Sequence, residues 1–395
     1  MPATEFMQPD MAATASPQVV VVDDMRGFGD LRADWQALLQ ASGADSPFLT
    51  WEWLHAWWTH LREGRGLQLL TVRASDRLIG IAPLSISRGR LPWLSQLEFL
   101  GTGLAGSDYL DLIVRRNHEA ECLDAMTDSY RSQSRALRLD HLPAQSALSA
   151  TLADRLGASG WTAQTRPSGI CPFARLTGHS WDSYMATLRS SHQTRFRRYL
   201  GTLTKKFSVS FERVDGEAQR SDALSALMTF HDQRWTPRGG STAFQTPALR
   251  AFHHDATARM LEGGWLRLYV LRLNDRPAAV AYCFAYRGRF YLYQHGFDEQ
   301  YHHYSVGLVL LGLTIRAAIE EGANEFDMLY GAEPYKSLWA YDTRPLNRID
   351  LFPSHMGGRL HHRTVEAERS MRRLARRIFP RKPCDSNVPH AGVAS

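Results

Sequence analysis

Residues 68–91 read QLLTVRASDRLIGIAPLSISRGRL, and residues 267–290 read RLYVLRLNDRPAAVAYCFAYRGRF. Aligned without a gap, the two stretches are identical at eight of 24 positions. Each has an apolar run, a turn at Ser75-Asp76 or Asn274-Asp275, a second apolar run and a turn at Arg-Gly-Arg. Apolar runs separated by such turn residues predict β-hairpins. The equal distance from turn to turn favours an internal duplication over two unrelated hairpins.

The same order of elements is predicted around both hairpins. Two helical patterns precede each hairpin, and a strand, a helix and a strand follow it. A meander that feeds a β-α-β unit gives a mixed sheet with helices packed on it. We therefore predict an α/β fold, more narrowly an α+β mixed sheet, in two tandem domains. The elements are residues 31–40, 50–61, 97–100 with 110–114, 119–130 and 136–141 in the first half, and 221–235, 247–262, 290–297, 306–321 and 325–330 in the second.

The predicted domain limits follow from the repeat. A helix over residues 180–206 would lead into the second copy, so the chain is divided near residue 176. The two ends look like loose tails. The predicted units are a disordered N-terminal tail over 1–17, a degenerate first domain over 18–176, a second domain that carries the site over 177–354, and a basic C-terminal helix and tail over 355–395.

Composition excludes several classes of protein. The chain has 395 residues, of which 44% are hydrophobic and 22% charged, as in globular proteins of two domains. No apolar run reaches the ~20 residues that span a bilayer, and the first residues do not read as a signal peptide. The four cysteines are dispersed and form no CxxC pair, so we predict no metal site. We expect a cytoplasmic protein.

The net charge of +6 is concentrated in the C-terminal tail. Residues 355–395 carry nine basic and three acidic side chains, which equals the whole excess. The charge therefore does not favour nucleic-acid binding by the body of the chain. Residues 360–379 could form a basic helix with a ragged apolar stripe, which would suit peripheral contact with an anionic membrane. Packing on the second domain and a frayed tail are the alternatives.

The first candidate site is the loop that precedes the apolar helix predicted from residue 306. Ser305 would cap this helix, and Gly307 would let a ligand approach its first turn closely. A helix N-terminus offers free N–H groups and a partial positive charge, which suit a pyrophosphate. An ordinary capped helix behind a polar turn is the alternative.

The second candidate site follows the strand that ends near Asp327. Within a few residues the chain presents Tyr330, Glu333, Tyr335 and Lys336. Polar groups at the carboxyl end of a strand commonly line a ligand site. Lys336 stands out because only four of the 46 basic residues are lysine, and a compact ammonium suits contact with one oxyanion. A solvated surface loop is the alternative.

Two further stretches carry weaker signals. Arg234, Trp235 and Arg238 close a helix and enter a Pro/Gly loop, which could form a lid over an anionic or sugar substrate. Residues 189–206 hold six basic and no acidic side chains, which could meet phosphates. The alternative for the first stretch is an ordinary helix C-terminus, and the alternative for the second is a solvated helix face.

With these motifs in view, the chain resembles the GNAT superfamily, and more closely the CelD-type proteins linked to bacterial cellulose and exopolysaccharide synthesis, which share a FemAB-like double-GNAT architecture. The resemblance covers about residues 20–350. Its most specific part runs from Tyr304-Ser305-Val306-Gly307 through Phe326-Asp327 to the stretch GAEPYKSLW over 331–339. The family pattern there is close to YSPG, fD and GxExYKxxw, so Val306 stands where proline is usual.

The resemblance implies tandem GNAT-like domains with the acyl-CoA N-acyltransferase fold. It also implies transfer of an acyl group, such as acetyl, from acyl-CoA to an amine or hydroxyl of a small molecule or polysaccharide precursor. The donor would lie at His302, Ser305, Val306 and Gly307, where His302 and Ser305 replace the Gln/Arg and Gly of the GNAT motif (Q/R)xxGx(G/A). Polysaccharide-synthesis machinery would be a possible partner.

Chemistry assigns hypothetical roles to the remaining residues. Attack on a thioester requires a general base, for which Asp327, Glu333 and His295 are candidates. Lys336 is the predicted oxyanion donor, and Tyr330 or Tyr335 the predicted acid for the leaving thiolate.

Two other functions stay open. A FemAB-type enzyme would take its acyl group from aminoacyl-tRNA, with the basic stretch 189–206 against RNA. A non-catalytic accessory protein of a polysaccharide synthase would bind through the Trp-rich helix near residue 51 and the basic tail.

Overall fold

The computed structural model describes residues 16–44, 46–89, 91–235 and 243–378. Their strands are β1 Gln18–Val22, β2 Gly66–Ala74, β3 Arg77–Ser87, β4 Gln96–Phe99, β5 Ile113–Val114, β6 Ala136–Pro143, β7 Thr162–Arg175, β8 Val209–Arg213, β9 Leu266–Leu273, β10 Arg276–Tyr286, β11 Arg289–Phe297, β12 Glu325–Asp327 and β13 Asp342–Phe352. Their α-helices are α1 Met25–Asp30, α2 Arg32–Ala41, α3 Trp51–Leu61, α4 Glu119–Gln133, α5 Ala147–Ala158, α6 Trp181–Thr187, α7 Ser190–Lys206, α8 Glu217–Trp235, α9 Pro247–Glu262, α10 Val306–Glu320 and α11 Met356–Ile378. None of these helices has the length and apolar content that a bilayer crossing requires.

The described strands form one mixed sheet whose order mirrors the sequence repeat. It runs β1-β2-β3-β4-β6-β13-β7-β12-β11-β10-β9-β8, with β5 paired to β3. In each half an antiparallel meander leads through a helix to a parallel strand, so that β4 pairs with β6 and β11 with β12. The predicted α/β mixed sheet and its duplication are thereby confirmed.

The centre of the sheet joins the two halves by exchanging strands. The long strand β7 belongs to the first half in sequence but lies beside β12 of the second half. Conversely, β13 lies beside β6 of the first half, and β7 and β13 pair with each other along their lengths. The domain limits 18–176 and 177–354 stay a prediction about sequence repeats, because the sheet itself runs unbroken through both.

The two predicted hairpins are confirmed down to their backbone angles. Ser75 and Asp76 have φ values of 47° and 64°, and Asn274 and Asp275 have 49° and 64°. Two consecutive residues with positive φ are what a two-residue hairpin turn requires.

Three element predictions need correction. The strand expected over 325–330 ends at Asp327, because Leu329 adopts a left-handed backbone with φ 55°. The helix expected over 180–206 is two helices, since Leu188 takes an extended conformation between α6 and α7. The strand expected over 110–114 is reduced to the two residues of β5.

An aromatic cluster packs the two halves together. Trp53 of α3 meets Phe252 of α9, with ring centroids 4.9 Å apart, and Phe48 meets Phe284 of β10 at 5.9 Å. Trp53 also donates from Nε1 to the Ser107 hydroxyl at 2.9 Å. The loop that contains Ser107 is therefore held against the second half.

His253 in this cluster predicts acid sensitivity. Burial lowers the pKa of His253 to about 3, well below the ordinary value of 6.5. Below about pH 6.5 the imidazole of the unfolded chain takes up a proton, whereas the buried imidazole of the folded chain stays neutral. The stability that depends on His253 is therefore fully present above pH 6.5 and is lost as the pH falls below it. The free energy of unfolding falls between pH 7 and pH 5, and we expect this fall to be about 2 kcal/mol smaller in His253→Leu than in the wild type, as measured by urea unfolding. His179→Gln, at a half-buried site in the turn before α6, should leave that loss unchanged. An equal loss in His253→Leu and wild type would contradict the assignment.

Candidate active site

The two parallel strands of the second half, β11 and β12, separate after a short paired stretch. Pairing between β11 and β12 covers only Arg289 to Tyr291 opposite Glu325 to Asp327. β11 continues to Phe297, while the chain after Asp327 turns away. The register of β11 against β10 also shifts at Tyr293, as in a β-bulge, a feature common beside active sites. Beyond this pairing β11 and the loop that follows β12 diverge, and we call the region between them the opening.

The N-terminus of α10 lies at the far end of β11. Ser305 precedes this helix with φ 50° and its side chain makes no capping bond. Among the described residues, the N–H groups of Val306 and Gly307 have no hydrogen-bond acceptor. A Cβ atom at Gly307 would lie 3.1 Å from Phe297 Cδ1, so glycine allows the helix start to pack closely on β11.

Cations surround this helix start. The Tyr199 phenol hydrogen-bonds the Ser305 hydroxyl, and this bond, with the nearby Arg198 and Arg195, lowers the pKa of Tyr199. The Arg198 guanidinium lies 4.8 Å from the centre of the Tyr199 ring, and Lys206 Nζ lies 5.1 Å from the centre of the Tyr304 ring. Free N–H groups beside several positive charges form a site suited to an anion such as a phosphate.

Asp327 ends β12 at the junction of the two halves. Its Oδ2 accepts from the Tyr109 hydroxyl and from Arg344 Nη1, both at 2.7 Å, and its Oδ1 accepts from the Leu329 amide at 2.8 Å. Burial raises the pKa of Asp327 to about 6, against the opposing effect of these partners. Asp327 is 0% exposed, and its hydrogen bonds join Tyr109 of the first half to Arg344 of β13.

Asp108 makes a second link between the halves. Its Oδ2 accepts from the Tyr330 amide at 2.9 Å, and its Oδ1 lies 3.0 Å from His141 Nδ1. Tyr109, His141 and Leu329 all have φ between 55° and 56°. Bulky residues adopt this left-handed conformation only where the surroundings enforce it, and such strain concentrates at functional sites.

Lys336 holds the loop that follows β12. Its Nζ donates to the carbonyls of Leu329 at 3.2 Å and Tyr330 at 2.6 Å, and lies 2.9 Å from Glu333 Oε2. The side chain is 5% exposed. Two ammonium hydrogens go to backbone carbonyls and the third contact is an ion pair with Glu333, so this geometry is that of a loop clamp.

His295 and Tyr335 are in contact with each other within the opening. Their ring centroids are 5.1 Å apart in an edge arrangement, and the backbone carbonyl of His295 lies 3.2 Å from His231 Nε2. Burial, helped by Arg234, lowers the pKa of His295 to about 3, and burial raises the pKa of Tyr335. At neutral pH the imidazole is thus uncharged and the phenol protonated.

The predicted site residues fall into three groups. His295, Glu333, Tyr335, Lys336 and Arg234 lie together around the opening, with Arg234 Cζ 5.1 Å from the centre of the Phe297 ring. The predicted donor residues lie at the start of α10, where His302 and His303 are exposed and their rings 3.6 Å apart. Tyr330 lies at the junction of the halves. Arg238 and the Trp235 side chain lie outside the described residues, so the predicted lid stays a prediction.

Sequence reasoning missed the residues that the first half contributes. Asp108 and Tyr109 reach the site from the loop between β4 and β5, His141 reaches it from β6, and Arg344 reaches it from β13. The repeat was the available signal, because the loop 100–112 follows β4 as the loop 298–305 follows β11.

Comparisons with known proteins agree with this geometry. Residues 190–337 match the family described as acetyltransferase (GNAT) domain. FemX has a TM-score of 0.61 at 10% identity, over 84% of this chain and 97% of its own. L-PGS from Bacillus licheniformis matches with a TM-score of 0.52 at 9% identity, over 86% of this chain and 96% of its own. A third match is the C-terminal domain of a putative lysylphosphatidylglycerol synthetase from Agrobacterium fabrum. Its TM-score is 0.50 at 11% identity, over 82% of this chain and 92% of its own.

The comparison with curated protein sequences gives no match. At these identities the solved structures share only the fold with this chain. The expected GNAT-type fold is confirmed: the family match covers the second half, and the first half repeats its strand and helix order.

Proposed function

We propose that this protein is an acyltransferase that moves an acyl group, acetyl in the simplest case, from acyl-CoA to an amine or a hydroxyl. The observation that carries the proposal is the separation of β11 from the loop after β12, with His295 and Tyr335 in contact between them and the uncapped start of α10 beyond the end of β11. The donor pyrophosphate would take the amides of Val306 and Gly307 beside Arg198 and Lys206.

The residues around the opening suit the chemistry of such a transfer. The acceptor attacks the thioester carbonyl, the new C–N or C–O bond forms, and the C–S bond breaks. His295 would take the acceptor proton, directly or through water, as a neutral imidazole; its lowered pKa makes it a weak base in the free protein, and the negative charge of a bound donor would raise that pKa. Tyr335 would give a proton to the thiolate, because its raised pKa keeps the phenol protonated.

Three residues predicted to be catalytic take positioning roles in this proposal. Asp327 fixes Tyr109 and Arg344, and Lys336 with Glu333 fixes the loop that carries Tyr335. The oxyanion role predicted for Lys336 is replaced because its ammonium already faces two carbonyls and a carboxylate.

The narrower proposal is a cytoplasmic CelD-type enzyme. Its acceptor would be a sugar, a polysaccharide precursor or a small metabolite in cellulose or exopolysaccharide synthesis, and the polysaccharide-synthesis machinery would be its partner. Support comes from the resemblance of the stretches 304–307 and 331–339 to that family.

A specific observation favours aminoacyl-tRNA as a second candidate donor. The six basic residues over 189–206 are exposed and, among the described residues, form no ion pair. Such a face can bind the phosphates of RNA. Binding of tRNA that weakens steeply with salt, and is lost in Arg197→Gln with Lys205→Gln, would support this donor over acyl-CoA.

Transfer can be tested by following release of free thiol from acetyl-CoA and longer acyl-CoAs with panels of amino and hydroxyl acceptors. We expect His295→Gln to lower kcat by about 10²–10⁴-fold, the range typical of a general base. His179→Gln, far from the predicted chemistry, should keep wild-type turnover. Turnover that survives His295→Gln would remove the proposed base, and no thiol release with any acceptor would count against the transfer itself.

A further inference from the structure

The C-terminal helix α11 is fixed to the body by one of its faces. Val365 is 8% exposed and packs with Ala136 and Phe352, and the His361 ring lies 5.4 Å from the Phe352 ring. Arg369 Nη2 donates to Asp350 Oδ2 at 2.6 Å. This inner face therefore belongs to the folded core of the first half and β13.

The opposite face of α11 is apolar and uncovered. Met356, Leu360, Met371 and Leu374 are 86%, 45%, 62% and 57% exposed. At about 100° per residue these four side chains fall within an arc of about 60°. They form two exposed apolar pairs on one side of the helix, with Ala367 between them, and we call this surface the outer stripe.

Exposed apolar side chains concentrate beside the outer stripe. Of the ten large hydrophobic residues exposed within the described chain, six lie on α11 or on the turn beside it. The two on that turn are Leu91 and Trp93, at 44% and 42% exposure. Trp93 Cβ lies 3.7 Å from the position of a Cβ at Gly357, next to Met356. A clustered patch of this kind marks an interaction surface.

Arginines run along one edge of the outer stripe. Arg359, Arg363 and Arg373 are exposed and form no ion pair with a described residue, unlike the inner Arg369. By helical position they lie within about 60° of the stripe. Unpaired guanidinium groups beside an apolar stripe match the chemistry of an anionic lipid surface, with phosphates over acyl chains.

We propose that the outer stripe, with Leu91 and Trp93, binds the surface of an anionic membrane while the inner face of α11 stays on the protein. The helix would lie in the plane of the interface, with its apolar side chains among the acyl chains and its arginines at the phosphates. A second copy of this chain is a poorer occupant, because stripe-to-stripe pairing would bring two unpaired arginine rows together.

The test is co-sedimentation of the full chain with vesicles of phosphatidylcholine alone and of an equimolar mixture with phosphatidylglycerol. We expect binding to the mixed vesicles only, weakened by high salt. Met371→Asp with Leu374→Asp should reduce binding at least tenfold, because it removes the apolar contact. Arg359→Gln, Arg363→Gln and Arg373→Gln together should reduce it about 100-fold, since each arginine near the surface contributes about fivefold.

The control removes the same charge elsewhere. Arg26→Gln, Arg62→Gln and Arg116→Gln together change three exposed arginines of the first half and should weaken binding far less. Thermal unfolding checks that every variant folds. Equal weakening by both triple variants, or no binding of wild type to either vesicle, would overturn the proposal. A concentration-dependent dimer that Met371→Asp with Leu374→Asp abolishes, without vesicle binding, would assign the stripe to a second copy instead.

Discussion

Arg344→Met should lower the free energy of unfolding by about 3–5 kcal/mol, the cost of leaving one partner of a buried ion pair alone. Arg344 Nη1 lies 2.7 Å from Asp327 Oδ2, and Asp327 is completely buried. Without the guanidinium, the carboxylate keeps only neutral donors in a site that water does not reach. Urea unfolding at neutral pH measures the change.

Two variants separate this effect from a general loss of charge. Arg289→Met removes a guanidinium 3.1 Å from Glu325 but leaves Glu325 paired with Arg344, so it should cost below about 1 kcal/mol. Adding Asp327→Asn to Arg344→Met should restore part of the stability, because the unpaired charge is gone. A cost for Arg344→Met as small as that for Arg289→Met would contradict the role of this pair in joining the halves.

Lys336→Met should reduce kcat/KM by about 100-fold or more while the protein stays folded. The ammonium holds two carbonyls and Glu333, so its loss frees the loop that positions Tyr335 opposite His295. Displacement of a reacting group by about 1 Å is enough for an effect of this size. Steady-state kinetics with the acyl-CoA donor measures it.

Lysine chemistry at this position allows a sharper comparison. Lys336→Arg should not restore activity, because a planar guanidinium cannot reproduce two carbonyl hydrogen bonds and a carboxylate contact that are all made by one nitrogen. Lys205→Met, on an exposed part of α7, should keep wild-type kinetics. A folded Lys336→Met protein with kcat/KM within about threefold of wild type would show that the loop clamp is unnecessary.

The sequence predicted those features that depend on local patterns. Asn and Asp tolerate positive φ, so pairs such as Asn274-Asp275 between two apolar runs favour a two-residue turn, and both hairpins were readable from the chain. The start of α10 was readable for the same reason, because Ser305, Gly307 and the apolar run after them lie together in sequence.

Features that depend on contacts between distant segments could not be read in this way. The partners of Asp327 are Tyr109 and Arg344, and Tyr109 lies more than 200 residues away in sequence. The exchange of β7 and β13 places both partners there, and no local period encodes that exchange. Lys336 was singled out by its rarity, but its role depended on carbonyl groups that only the folded loop supplies.

The most direct test of the proposed donor site is a calorimetric titration of the protein with acetyl-CoA and longer acyl-CoAs. We predict saturable binding that Ser305→Asp weakens at least tenfold, because a carboxylate beside the free amides of α10 repels the pyrophosphate. Ser180→Asp, which adds the same charge at the N-cap of α6, should bind as wild type does. Failure of every acyl-CoA to bind, or equal binding by Ser305→Asp, would contradict a thioester donor at this helix.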